Sequence, residues 1–211
     1  MQNMLKLLLL STSLSFVAAE AIASETAVSE IIAIKPTNTS ALLDGSCGND
    51  EWDAATKIEL PAQASIYLMH DEDYFYFCAK GKAEDYTVID LYIEHAETGR
   101  LHKFHLSAQM GEGILTDDGW ENASAKGVHK DYAGFWVPYV GLEDQKNRKN
   151  PKFARGTHRQ IQILRKKFAG NIWNMMVGVS VRHEGNRAEL FYPEKAVGND
   201  KATWGKFSFS E

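Results

Sequence analysis

The sequence lacks the short motifs that mark the common enzyme and cofactor classes. It contains no G-x-S-x-G, no H-E-x-x-H and no glycine-rich phosphate-binding loop, so nothing in it indicates a serine hydrolase, a zinc peptidase or a nucleotide site. A C-x-x-C-H motif is absent as well, so there is no attachment site for covalently bound haem. The sequence also shows no internal repeat.

Long helical patterns are missing. No segment keeps apolar residues at helical spacing for more than about two turns, which argues against a βαβ architecture. Apolar and polar residues instead alternate along many short segments, and a period of two is typical of half-buried strands. The all-β fold class is therefore predicted, with strands at 65–70, 74–80, 88–94, 101–107, 133–140, 160–164, 171–182, 188–192 and 206–210.

Only one long apolar run occurs, and it lies at the N-terminus. Lys6 precedes an apolar run over residues 7–19, and small residues follow, which are the three parts of a secretion signal. Hydroxyl side chains and Glu20 interrupt the run, whereas a membrane span needs about 20 mostly apolar residues. Cleavage after Ala19 or Ala23 fits, and Ala23 gives the better A-x-A match. We expect a signal peptide over 1–23 and a periplasmic or secreted protein with no transmembrane segment after cleavage.

The sequence has two cysteines, Cys47 in a Gly/Asp turn and Cys78 at the end of an aromatic strand. In an oxidising compartment an isolated pair favours a disulfide. The alternative is that Cys78 is a small buried residue and Cys47 a surface thiol.

The formal net charge is -5, which gives no argument for a nucleic-acid partner. The positive charge is unevenly placed, since residues 146–167 hold nine Lys or Arg and no Asp or Glu. Residues 143–156 are polar and are predicted as a long loop. A basic loop beside a binding site would favour acidic glycans, and the alternative is a solvated loop that keeps the protein soluble.

Three segments resemble the family 9 carbohydrate-binding modules and their relatives, including DOMON-like sandwich domains. Residues 43–55 form a turn with Asp-Gly, an acidic cluster and then Trp and Ala, similar to the opening motif of the family. Residues 70–77 resemble its acidic turn followed by an aromatic strand, and residues 202–209 resemble its last strand. The resemblance implies an Ig-like or jelly-roll antiparallel β-sandwich over 41–211. Residues 24–40 would then be an N-terminal extension with a candidate first strand at 31–34.

The resemblance also implies a possible calcium site, because some relatives hold calcium near such acidic turns. Calcium takes six to eight oxygen ligands, and Asp44, Asp50 and Asp71 could supply some of them if the two turns meet. The alternative is that these carboxylates are solvated turn residues. The sequence predicts no other cofactor.

Sugar recognition in such modules uses exposed aromatic rings that pack against the C–H faces of a pyranose. Trp120 lies in a predicted polar loop where burial is hard to arrange, and Trp136 lies in an aromatic segment where one face must point outwards. Tyr74, Tyr76 and Tyr92 occupy the less apolar phase of their strands. These five residues are the candidate ligand-binding residues.

Two rival functions remain open. A related sandwich architecture carries b-type haem in periplasmic electron-transfer domains, between axial ligands such as Met with His. The candidate ligands are Met69, Met110, Met175, Met176, His70, His102 and His105. A glycan-processing enzyme would need two carboxylates across a cleft, and the candidate pairs are Asp90 with Glu94 and Asp117 with Glu121.

The favoured hypothesis is an exported, non-catalytic carbohydrate-binding domain, with acidic glycans as one ligand class. A carbohydrate or glycan is the predicted partner. Nothing in the sequence predicts the oligomeric state.

Overall fold

The computed structural model describes residues 30–47, 50–83, 86–123, 130–135, 139–144, 146–147, 149–153, 156–183 and 185–209. The predicted signal peptide, residues 1–23, and Trp136 lie outside these ranges, so both remain predictions. The described chain is built of strands joined by turns and three short 3-10 helices, which confirms the all-β prediction. No helix in these ranges is long and apolar enough to cross a membrane.

The strands follow the alternating segments of the sequence. In chain order they are β1 (Ile32–Pro36), β2 (Thr56–Leu60), β3 (Ala64–His70), β4 (Tyr74–Lys80), β5 (Val88–Glu94), β6 (Leu101–Leu106), β7 (Met110–Thr116), β8 (Gly119–Asn122), β9 (Tyr132–Phe135), β10 (Tyr139–Asp144), β11 (Lys149–Phe153), β12 (His158–Leu164), β13 (Ile172–His183), β14 (Asn186–Tyr192) and β15 (Gly205–Phe209). The 3-10 helices are Asp50–Trp52, Arg165–Lys167 and Lys201–Thr203.

The strands form two packed layers. The front sheet has the order β8-β7-β6-β5-β13-β15, with β14 also paired to β13, and the rear sheet has the order β3-β4-β12-β9, with β2 also paired to β3. Strand β1 joins the two sheets. Its first part pairs with β15, where Ile34 lies opposite Phe209, and its last part pairs with β3, where Pro36 lies opposite His70.

The prediction of purely antiparallel sheets needs a correction at β1, which runs parallel to both of its neighbours. Alternation reports which side chains are buried, but it does not report the direction of the adjacent strand. Ile34 is fully buried in the core. Part of the predicted extension, residues 24–40, is therefore a strand of the sandwich.

The core lies between the two sheets and is rich in aromatic rings. Trp173 is 1 % exposed and makes edge-on contacts with Phe75, Phe168 and Phe209. Such pairs contribute about 0.5–1.5 kcal/mol each beyond their buried area. On β5 the alternate residues Ile89, Leu91 and Ile93 are fully buried. This burial fixes the register, because a slip by one residue would turn every apolar side chain outwards.

A second apolar cluster lies on the outer face of the rear sheet, beneath residues 40–47 and 50–56, which we call the covering segment. Cys47 and Cys78 form a disulfide there, which confirms the predicted bridge. Trp52 is 2 % exposed in the same cluster. The side-chain amide of the fully buried Gln160 donates to the carbonyls of Leu42 and Ser46. These contacts hold the covering segment against the sheet.

Two predicted loops contain strands. Residues 143–156 were expected to be a loop, but β10 and β11 form an antiparallel hairpin in which Asp144 lies opposite Lys149. The polar composition and Pro151 conceal the strand, since proline is normally depleted from strands. Trp120 was expected in a loop and instead lies on β8, opposite Leu115 of β7.

Candidate functional site

The structure divides the predicted ligand-binding residues between the two sheets. Tyr92 on β5 and Trp120 on β8 lie together on the outer face of the front sheet, with ring centroids 5.5 Å apart. Tyr74 and Tyr76 lie on β4 of the rear sheet. Trp136 lies outside the described residues. Four of the five predicted residues therefore form two separate aromatic pairs, one on each sheet.

Tyr76 is an interior residue. It is 1 % exposed beneath the segment that covers the rear sheet, and its hydroxyl donates to Asp71 Oδ2 at 2.5 Å. Burial and this hydrogen bond raise the pKa of Tyr76 to about 12. Tyr74 is half-buried beside it, with ring centroids 6.1 Å apart. The ring of Tyr76 therefore offers no open face to a ligand, contrary to its predicted role.

The acidic turns predicted to bind calcium have other partners. Asp71 Oδ1 accepts the backbone N–H groups of Asp73 and Tyr74, at 2.9 and 2.7 Å. Burial raises the pKa of Asp71, but its hydrogen bonds outweigh that effect and hold the pKa below the ordinary value. Asp44 Oδ1 accepts the N–H of Ser46, and Asp50 is exposed. The described residues contain no group of three or more His, Cys, Asp or Glu that could hold a metal ion, so they give no support to the calcium prediction.

A row of paired residues crosses the outer face of the front sheet. Phe191 lies opposite Gly178, Gly178 opposite Asp90, Asp90 opposite His105, and His105 opposite Gly111. We call the depression along this row the front groove.

Two glycines form the floor of the front groove. Neither Gly111 nor Gly178 has a positive φ, so the backbone conformation does not require glycine at either position. A Cβ atom at Gly111 would meet no heavy atom within 4 Å. Glycine inside a strand often marks a place where a ligand or another backbone approaches closely. At Gly111 the missing side chain leaves open space above the sheet, whereas a Cβ atom at Gly178 would lie 3.4 Å from the ring of Phe191.

Aromatic rings border the groove. The ring of Tyr92 lies edge-on to Trp120 and is tilted against Trp204, with centroids 5.9 Å apart in the second pair. Trp204 is 5 % exposed and donates its indole N–H to the carbonyl of Val197. Phe191 borders the opposite side and is 37 % exposed. The buried Trp204 therefore packs against the ring of Tyr92, while the ring of Phe191 is exposed to solvent.

Sequence reasoning missed Phe191 as a border residue. Its neighbours two and four positions earlier on β14 are Glu189 and Arg187, and all three side chains are exposed. An aromatic residue in the polar phase of a strand is the signal that could have identified it.

Polar side chains occupy the centre of the groove. His105 Nδ1 lies 2.8 Å from Asp90 Oδ1, and His105 Nε2 lies 2.8 Å from Ser107 Oγ. The side chains of His105 and Asp90 are 41 % and 35 % exposed. Ser107 Oγ also accepts the N–H of Gln109, as in a turn. Burial, together with the carboxylates of Asp90 and Glu189, raises the pKa of Tyr92 to about 12, so this hydroxyl keeps its proton at neutral pH.

The groove contains two hollows on either side of the Asp90–His105 pair. The first, of about 390 Å³, is lined by Asp90, Tyr92, Gly178, Glu189, Phe191 and Gly198. The second, of about 260 Å³, is lined by Lys103, His105, Gly111, Trp120, Glu121 and Asn122. Both are open to solvent and carry hydrogen-bonding groups beside aromatic rings.

Several cations of the basic segment serve internal contacts. Arg159 is fully buried and donates to the carbonyls of Gly156 and His158. Arg165 donates to the carbonyl of Asp71. Lys167 pairs with Glu112, with Nζ 3.1 Å from Oε1. These three cations are engaged in contacts within the fold, which leaves fewer free charges for an acidic ligand.

Most of the residues proposed as haem ligands are buried in the protein interior. Met69, Met175 and Met176 are at most 1 % exposed in apolar clusters, and Met110 is half-buried against the core. His70 and His102 are buried, whereas His105 faces the groove. His102 and His105 therefore point to opposite faces of β6.

The carboxylates proposed for catalysis also have partners. Glu94 Oε1 lies 2.6 Å from Lys201 Nζ, while Asp90 is paired with His105. Glu121 Oε1 accepts a hydrogen bond from the Thr116 hydroxyl.

No family model matches this chain, and no curated protein matches it. The solved structures that resemble it include a candidate carbohydrate-binding protein from Bacteroides uniformis, with 10 % identity, a TM-score of 0.55 and coverage of 86 % of this chain and 100 % of that chain. Two others are structures of a family 9 carbohydrate-binding module from Caldicellulosiruptor kristjanssonii. The complex with cellotriose has 11 % identity, a TM-score of 0.48 and coverage of 86 % and 94 %. The complex with glucose has 11 % identity, a TM-score of 0.46 and coverage of 84 % and 95 %.

At such low identity the likeness to the Bacteroides uniformis protein shows the fold alone. The resemblance that the sequence predicted is confirmed at that level, as a shared β-sandwich fold.

Proposed function

We propose that this chain is an exported, non-catalytic carbohydrate-binding protein and that the front groove is its binding site. The observation that carries the proposal is the combination of strand glycines, aromatic borders and the Asp90–His105 pair around two neighbouring, solvent-open hollows. The fold shared with the candidate carbohydrate-binding protein of Bacteroides uniformis supports the same function.

The chemistry of the groove suits a sugar. Ligand sites combine apolar and aromatic surface with a few placed polar groups that fix orientation. The rings of Trp120 and Phe191 supply apolar faces for C–H groups. Asp90 and Glu189 supply acceptors for hydroxyls, and the protonated hydroxyl of Tyr92 supplies a donor.

The charges of the groove favour uncharged sugars. Asp90, Glu189 and Glu121 line the two hollows, and Lys103 is the lining lysine among the described residues. Lys103 Nζ lies 5.0 Å from the ring centre of Trp120. Salt dependence distinguishes this proposal from the acidic-glycan hypothesis. The affinity for an acidic ligand should fall steeply with added salt, whereas the affinity for an uncharged sugar should not.

The compartment is part of the proposal. The buried Cys47–Cys78 disulfide supports an oxidising environment, since disulfides persist in the periplasm and outside the cell. The predicted signal peptide would bring the chain there.

A glycan array followed by calorimetry on the hits tests the function. We expect binding of at least one glycan, with affinity reduced about tenfold or more by Trp120→Ala and by Phe191→Ala. Ile172→Ala is the matched control, because Ile172 is a 50 % exposed apolar residue of the front sheet that lines neither hollow. Absence of any bound glycan would contradict the function, and parent-like binding by both groove variants would contradict the site.

A further inference from the structure

The two hollows of the front groove are alike in construction. Each has a strand glycine as its floor, Gly178 in the first and Gly111 in the second, and each has an aromatic border, Phe191 in the first and Trp120 in the second. Both hollows thus combine a strand glycine with an aromatic ring, and they differ in that the ring of Phe191 lies close to Gly178 while the space above Gly111 is open.

The separation of the two floors sets the size of the ligand. Gly178 and Gly111 lie on β13 and β7, which are separated by three steps of strand pairing through β5 and β6. With neighbouring strands about 4.8 Å apart, the floors are about 14 Å apart. A single pyranose ring cannot occupy both hollows.

The Asp90–His105 pair lies between the two hollows and contributes one residue to each. Asp90 lines the first hollow and His105 lines the second, while the 2.8 Å contact between them fixes both side chains. A ligand that runs over the pair would meet a carboxylate on one side and an imidazole on the other.

We propose that the front groove holds one uncharged oligosaccharide that crosses the strands and places sugar units in both hollows. This inference rests on the proposed carbohydrate-binding function and adds the ligand class, a chain of several units rather than a single sugar. The acidic lining selects against chains that carry carboxylates or sulfates.

Ladders of cello-, xylo-, manno- and chito-oligosaccharides, from the monosaccharide to the hexasaccharide, test the chain length directly. On the ladder that binds, we expect affinity to rise about tenfold or more between the monosaccharide and the longer chains, and then to level off once both hollows are filled. An affinity that is the same for the monosaccharide and the hexasaccharide would overturn the inference while leaving the proposed function intact. Binding to no ladder and to no array glycan would overturn both.

Filling each hollow gives a second, independent test. Gly111→Val adds a β-branched side chain where nothing lies within 4 Å, and valine is favoured in strands. Gly178→Ala would place its Cβ 3.4 Å from the Phe191 ring, at ordinary contact distance. Lys35→Val, an exposed position on β1, is the control for adding valine to the surface of a strand.

Each filled variant should bind the long chain about tenfold more weakly than the parent, and Lys35→Val should bind like the parent. Circular dichroism and thermal unfolding check that each variant is folded. If Gly111→Val does not fold, the Gly178→Ala variant and the ladders decide the question. Parent-like affinity of the folded filled variants for the long chain would overturn the inference.

Discussion

Asp90 and His105 face each other across β5 and β6, with Oδ1 and Nδ1 2.8 Å apart. Both side chains are more than one-third exposed, so the pair adds little to stability, since exposed ion pairs contribute about 0–1 kcal/mol. Its position between the two hollows of the front groove is the basis for the role in binding that we propose for it.

Asp90→Asn should therefore separate binding from stability. The amide keeps the size of the side chain but loses the negative charge that holds His105, so we expect weaker glycan affinity with a melting temperature close to that of the parent. Calorimetry with the glycan identified on the array measures the first, and thermal unfolding measures the second. A variant that binds like the parent would show that the pair takes no part in recognition.

The disulfide should stabilise the whole sandwich. Cys47 and Cys78 are 31 residues apart in sequence, and closing a loop of that length in the unfolded chain is worth about 3–4 kcal/mol. We expect the Cys47→Ala/Cys78→Ala double variant to unfold at lower denaturant concentration. Glycan binding should persist under conditions in which this variant remains folded, because the bridge lies on the rear sheet. Equal unfolding midpoints for parent and variant would contradict this account.

Gln160 should be more important for stability than a neighbouring glutamine on the same strand. It is fully buried and makes three hydrogen bonds to the covering segment, accepting one from the N–H of Gly45 at 2.6 Å. Its removal leaves partly buried backbone groups without these partners, at a cost of about 1 kcal/mol for each lost hydrogen bond. Urea unfolding of Gln160→Ala, with Gln162→Ala as the matched control, measures the difference. Similar losses in the two variants would show that the amide does not fix the segment.

Glu112 should make stability depend on acidity. Burial raises its pKa, but the hydrogen bond from His102 and the charge of Lys167 outweigh burial and hold the pKa below the ordinary value. A carboxyl group with a lowered pKa in the folded state stabilises the protein above its unfolded pKa of about 4.3. That stability is lost as the pH falls through the folded value.

The unfolding free energy of the parent should thus fall below about pH 5, and the fall should be shallower in Glu112→Gln. Urea titrations at a series of pH values give both slopes, and Glu97→Gln in an exposed turn is the control. Identical slopes for parent and Glu112→Gln would contradict the role assigned to this carboxylate.

Alternation made most strands predictable. The observed β4 and β5 have the predicted bounds, because Phe75, Phe77, Ile89 and Leu91 alternate with polar or aromatic residues. Strands β7 and β8 were missed, since Gly111, Gly113 and the acidic turn that follows β7 weaken the strand pattern. Those same glycines open the second hollow, so the feature that concealed the strand is part of the candidate site.

The site was only partly predictable for a related reason. A strand pattern shows that Tyr76 and Tyr92 leave the core between the sheets, but it cannot show what covers the outer face. Residues 40–47 and 50–56 bury Tyr76, whereas the face around Tyr92 remains open. The meeting of Tyr92 with Trp120 also depends on the pairing of β5 to β8 through two intervening strands, which no local pattern reveals.

The most direct test of the account is a nuclear magnetic resonance titration of nitrogen-labelled protein with the glycan identified on the array. Two indole N–H signals provide internal controls, because Trp52 and Trp173 are at most 2 % exposed and line neither hollow, while Trp120 borders the groove. We predict that the Trp120 indole signal and the backbone signals of Gly111, Gly178 and Phe191 shift on binding, while the Trp52 signal does not. Shifts confined to the rear sheet, around Tyr74 and Trp52, would contradict the assignment of the front groove as the binding site.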